Sequence, residues 1–117
     1  MSPNKRLARV TATHTGTGLS VDGYEIHIGR THGADCQRPF AVVNGCPEGA
    51  ATADGRIAGS YLHGLFTSDA FRAAFLVRLG IKAAPRSHLA TVEATLDALV
   101  DHLAVHLDVQ DLFAAAR

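Results

Sequence analysis

The 117-residue sequence has no charge excess of either sign, since 11 Lys and Arg balance 11 Asp and Glu. That removes the basic footprint of a nucleic-acid binder and the acidic tail of an interaction arm. Absent too is any run approaching the roughly 20 apolar residues of a membrane span. The N-terminus, with Asn4, Lys5, Arg6 and Arg9, lacks the apolar stretch of a signal peptide. These absences predict a cytoplasmic chain that engages neither nucleic acid nor membrane. Cysteine is scarce: Cys36 and Cys46 are too few for a secreted disulfide framework and form no C-x-x-C pair, so both are expected as reduced thiols. No Gly-x-x-x-x-Gly-Lys-Ser/Thr loop occurs, which excludes nucleotide binding by that route. Repeats, low-complexity tracts and linkers are missing, and the length suits one compact domain over residues 1–117.

What is present divides into two halves. In the first, Arg6 to Thr13 alternates as a strand and runs into the turn chemistry of His14-Thr15-Gly16-Thr17-Gly18. Val21 to Ile28 alternates again, with Tyr24, Ile26 and Ile28 on one face and Glu25 and His27 together on the other. Phe40 to Val43 ends at Asn44-Gly45, and Ala53-Asp54-Gly55-Arg56 is a turn leading into a strand over Ile57 to Leu62. In the second half, Ser68 or Thr67 can cap a helix through Phe71, Phe75 and Leu79 that Gly80 ends. Ser87 opens a longer helix with Leu89, Val92, Leu96, Leu99, Val100, Leu103 and Leu107 in one stripe, expected to bury one side only. Asp108 caps a last segment, Val109 to Ala116. Strands followed by helices fit an α+β domain, or equally the last part of a larger α/β sheet whose earlier β-α units lie upstream.

Two segments carry chemistry: Gly23-Tyr24-Glu25-Ile26-His27-Ile28-Gly29-Arg30-Thr31 and Gly59-Ser60-Tyr61-Leu62-His63-Gly64-Leu65-Phe66. His63 stands where an apolar strand ends and glycine lets the backbone turn, the part of an α/β sheet where ligands bind. An imidazole held there can serve as a general base near neutral pH, although a histidine at a strand end is often only a surface residue. The paired segments closely resemble the late glutaminase region of cobyric acid synthases, and the likeness continues through Asp69 to Arg72 and the helix at Val92 to Leu99. The resemblance implies an α/β fold, the C-terminal half of a flavodoxin-like class I glutamine amidotransferase domain. It implies that His63 is the base for a cysteine that attacks the side-chain amide of glutamine. It also implies a parent enzyme that uses ATP and magnesium to amidate adenosylcobyrinic acid a,c-diamide in cobalamin biosynthesis. In triad enzymes a glutamate follows the histidine by two positions, but here that position is Leu65, so the resemblance points to a Cys-His dyad. Glu25 and His27 could orient His63 or line its site, or simply pair with each other.

Neither cysteine suits the nucleophile. An elbow needs a strand, a glycine-flanked turn and a helix, with the next backbone N–H helping to hold the oxyanion. Cys46 is followed by Pro47, which has no N–H, and Cys36 has no flanking glycine and no strand leading in. The expectation is therefore a domain whose nucleophile-bearing half is absent, inactive alone. Its partners would be the upstream ATP-binding and nucleophile-bearing portions of the parent, and uncovered strand edges would favour a homo-oligomer. The competing expectation is a non-catalytic dimerisation or docking module. His102 and His106 lie one helical turn apart, but with no glutamate between them in the zincin pattern and no third ligand a solvated helix face explains them better than a metal. No metal or cofactor is assigned to the chain itself.

Overall fold

A computed structural model describes residues 6–29, 31–82 and 86–116; Asn4, Lys5 and Arg30, named above, lie outside these ranges. The chain forms two compact units, Met1–Pro85 and Arg86–Arg117.

The first unit is built on an antiparallel sheet of five strands: β1 (Arg6–His14), β2 (Ser20–His27), β3 (Ala41–Val43), β4 (Cys46–Glu48) and β7 (Leu62–His63), in the order β4-β3-β1-β2-β7. Two further short strands, β5 (Ala50–Ala51) and β6 (Ala58–Gly59), pair with each other. The long β1–β2 hairpin sets the register, with Val10 opposite Gly23 and Ala12 opposite Val21. Its turn closes through the Leu19 carbonyl accepting from the His14 N–H (2.9 Å) and the His14 carbonyl accepting from Gly18 (2.8 Å). Asn44 and Gly45, both at positive φ (49° and 78°), form the two-residue β3–β4 turn, whose twist matches that of the flanking strands. With sheet and helix in one chain the fold is mixed α/β. The parallel β-α units of a flavodoxin-like sheet are not among the described residues.

One face of the sheet carries the core. Val10, Ala12, Ala41, Val43 and Leu62 cluster there, with Ala8, Phe40 and Leu65 against them. Helix α1 (Asp69–Arg78) is seated on this face by Phe71, 1% exposed, whose ring meets His14 at 5.0 Å and lies within 6.3 Å of Phe40, Phe66 and Phe75. The buried row of β2 is Val21 and Gly23, continuing to Glu25 and His27, so the apolar row Tyr24, Ile26 and Ile28 faces outward. Tyr24 is 49% and Ile28 59% exposed.

Two expectations about the first unit need correction. The single strand over Ile57 to Leu62 is instead two: Ser60 and Tyr61 leave the ladder because Glu48 takes their hydroxyl and amide, as described below. Ser68 does occupy the N-cap position of α1, but its hydroxyl accepts from the Asp22 N–H (3.0 Å) and not from the helix. The Thr67 hydroxyl likewise turns away from the helix and donates to the Gly64 carbonyl (2.7 Å). Gly80 (φ 78°) ends α1 as expected, with the Ile81 N–H returning to the Leu76 carbonyl.

The second unit holds α2 (His88–His106) and α3 (Val109–Ala115). The Ser87 hydroxyl accepts from Ala90 N–H (3.2 Å) and the Asp108 carboxylate from Asp111 N–H (3.0 Å), the two caps read in the sequence. No residue of α2 is buried, so its leucine and valine stripe does not bury one side in this structure.

Candidate active site

His63 lies on β7, the edge strand, and its placement comes from three local features. Its neighbour across the ladder is Tyr24, so both side chains project from the outward face. Beside it on β2 is Gly23, where a Cβ would stand 2.5 Å from the His63 carbonyl oxygen; only a residue without one allows β7 this close. Immediately after it, Gly64 takes the left-handed conformation (φ 83°) that turns the chain into the one-turn 3-10 helix Leu65–Thr67 and then α1. The side chain is exposed. Leu65, at the position where triad enzymes carry a glutamate, packs against the core cluster instead. A carboxylate there would have to be buried among apolar groups.

Glu25 and His27 do come together, with Glu25 Oε1 3.8 Å from His27 Nδ1, and the His27 ring stacks on Tyr61 at 4.6 Å. They lie on the inward face, Glu25 opposite Leu62, and so on the other side of the sheet from His63. The strand therefore separates this pair from His63, and of the three roles open to it in the sequence the arrangement displays the mutual pairing. The pair instead lines a cavity of about 860 Å³ together with His32, Cys36, Cys46, Glu48 and Tyr61. His63 is not among the lining residues. Cys46 sits inside β4 and Cys36 in the 3-10 turn Ala34–Gln37, so neither occupies a strand-to-helix elbow.

Glu48 is the residue that sequence reasoning passed over. It lies on β4 opposite Ala41, 8% exposed, and both its oxygens are engaged: Oε2 accepts from the Ser60 hydroxyl (2.8 Å) and Oε1 from the Tyr61 N–H. A glutamate between proline and glycine announces none of this, because its partners lie 12 and 13 residues along the chain. Gly23 did carry a signal: an isolated glycine inside an alternating strand marks a close backbone approach.

His14, on β1, is a perturbed histidine. Buried between Phe40 and Phe71 and bonded to the Thr17 hydroxyl (2.9 Å), it has its pKa lowered from the usual 6.5, first by burial and then by the Arg78 charge. His102 and His106 do meet, with ring centroids 4.6 Å apart. Among the described residues, no group of three or more His, Cys, Asp or Glu side chains is placed to hold a metal ion. No helix there is long and apolar enough to cross a membrane.

Residues 1–71 match the CobB/CobQ-like glutamine amidotransferase domain. The chain belongs to that family. The amidotransferase match takes in β1, β2, the Glu48 strand and the whole His63 segment. Across its full length the chain is 68% identical to a cobyric acid synthase of Rhodobacter capsulatus, 58% to that of Bradyrhizobium diazoefficiens and 46% to that of Mesorhizobium japonicum. It covers 24% of each, so it spans about a quarter of the length of the curated relatives it matches. No solved structure matches it.

Proposed function

We propose that this amidotransferase segment is the histidine-bearing part of the glutaminase unit of a cobyric acid synthase. Its antiparallel strands would form the end of a flavodoxin-like class I sheet, working in the cytoplasm. The observation that carries the reading is the placement of His63 between the Gly23 contact and the Gly64 turn, on an edge strand that further chain can join. In this reading His63 takes the proton from a cysteine thiol supplied by the rest of the enzyme. The thiolate attacks the side-chain carbonyl of glutamine, and the collapsing intermediate expels ammonia with the proton that His63 returns. Water then cleaves the thioester to glutamate. The ammonia would serve the ATP-dependent amidation of adenosylcobyrinic acid a,c-diamide. In this reading ATP and magnesium would be bound by the remaining three quarters of such an enzyme.

The test is a chimera in which this chain replaces the matching quarter of the Rhodobacter capsulatus relative. His63→Asn should abolish glutamine-dependent amidation, because an amide cannot carry the proton, while high ammonia still supports the reaction. Retained glutamine use, or equal loss with ammonia, would sink the assignment. The docking-module reading would then stand, favoured by the open β7 edge and by the exposed Leu7, Tyr24 and Ile28.

A further inference from the structure

We propose that Glu48 is a positioning residue for the glutaminase chemistry, holding His63 in place through the segment that precedes it. This rests on His63 being the base. Strand β7 is only two residues long and makes two ladder pairings, Leu62 with Glu25 and His63 with Tyr24, too few to hold an edge strand on their own. The missing restraint comes from the segment just upstream. The Glu48 carboxylate accepts from the Ser60 hydroxyl on one oxygen (2.8 Å) and from the Tyr61 N–H on the other, and Ser60 Oγ in turn accepts from the Leu62 N–H (3.0 Å). A chain of hydrogen bonds thus runs from a buried carboxylate on β4, at one edge of the sheet, to the residue adjoining His63 at the other. The opposite side of the segment is held as well, by the Ile26 N–H donating to the Tyr61 carbonyl (3.2 Å).

Geometry makes this a selective device. Glu48 is anchored by its place in the β3–β4 hairpin, opposite Ala41, and commits both oxygens to two consecutive residues, Ser60 and Tyr61. It touches neither His63 nor the face from which His63 projects. Its effect on the reaction is therefore exerted through backbone position alone, and a shift of about 1 Å in a reacting group costs on the order of 100-fold in rate.

In the chimera, Glu48→Ala should lower the glutamine-dependent kcat by about 10- to 100-fold, leaving KM for glutamine within about twofold and the ammonia-dependent rate unchanged. Glu48→Gln keeps an acceptor for Tyr61 N–H and can donate to Ser60 Oγ, so it should recover most of the loss. Amide hydrogen exchange at Leu62 should be faster in the Ala variant and near normal in the Gln variant. A glutamine-dependent kcat within about twofold of the parent in Glu48→Ala overturns the proposal, as does a joint fall of the glutamine and ammonia rates, which marks a general folding role. His63→Asn measured alongside separates the two failures. If it silences glutamine use while Glu48→Ala does not, only the role of Glu48 falls; if His63→Asn is active, the underlying assignment falls first.

Discussion

Replacing Gly23 with alanine perturbs His63 without touching its side chain. The added Cβ would stand 2.5 Å from the His63 carbonyl oxygen, about 0.9 Å inside the 3.4 Å at which ordinary contacts begin. The opposing atom is backbone, so no rotamer change relieves the contact and β7 must move outward. Two opposing stability effects follow. Alanine in a strand gains roughly 0.5–1 kcal/mol over glycine in conformational entropy. Loosening an edge pairing forfeits hydrogen bonds worth about 1 kcal/mol each. The net change in stability should stay within about 2 kcal/mol. A displacement approaching 1 Å at the base, by contrast, costs on the order of 100-fold in rate. In the chimera, Gly23→Ala should therefore cut glutamine-dependent turnover by at least about tenfold while ammonia-dependent turnover and urea midpoint change little. Gly59→Ala is the control, since a Cβ there meets nothing within 4 Å. Turnover within twofold of the parent in Gly23→Ala, or equal losses in both variants, would refute the link between this contact and the histidine's position.

His14 makes stability depend on pH in a defined direction. Its folded pKa lies below 6.5, so as pH falls under about 6.5 the unfolded chain takes up the proton first and stability drops until the folded pKa is passed. His14→Gln should flatten that part of a urea-midpoint profile measured between pH 7.5 and 5, and an unchanged slope would show that other groups dominate it. Phe71→Ala should destabilise the first unit by about 3–5 kcal/mol, since it removes a fully buried ring at the junction of α1 with the sheet. A urea midpoint near that of the parent would mean that α1 contributes little to the core.

Much of this architecture is legible in local chemistry. The glycine turns, the Ser87 and Asp108 caps and the alternation of β1 and β2 all arise from near neighbours, and all are found where the residues place them. Which face of β2 is covered is not a local property. Tyr24, Ile26 and Ile28 look more like a core than Val21, Gly23, Glu25 and His27 do, yet the second row faces inward, with Val21 and Gly23 buried and Glu25 and His27 half-buried, because β1 presents Ala8, Val10 and Ala12 on that side. The break at Ser60 and Tyr61 was equally hidden, since it depends on a carboxylate 12 and 13 residues away and not on any breaker in Ile57 to Leu62. Of the proposed site, the shared strand face of Glu25 and His27 could be read from spacing, whereas His63 was singled out by its place at a strand end and by the family resemblance. Their separation by the sheet could not, because it depends on how β7 aligns with β2.

That alignment gives β2 the character of a partition wall. Consecutive residues Tyr24 and Glu25 serve different compartments, one open to whatever joins the outer face and the other lining the cavity. Parity decides the address of every side chain on the wall. Lengthening the Thr15–Leu19 loop would leave those addresses alone. One residue gained or lost between Glu48 and His63 with the β2–β7 pairing kept would turn the histidine into the apolar core and the leucine outward, exchanging the contents of two rooms without altering either wall.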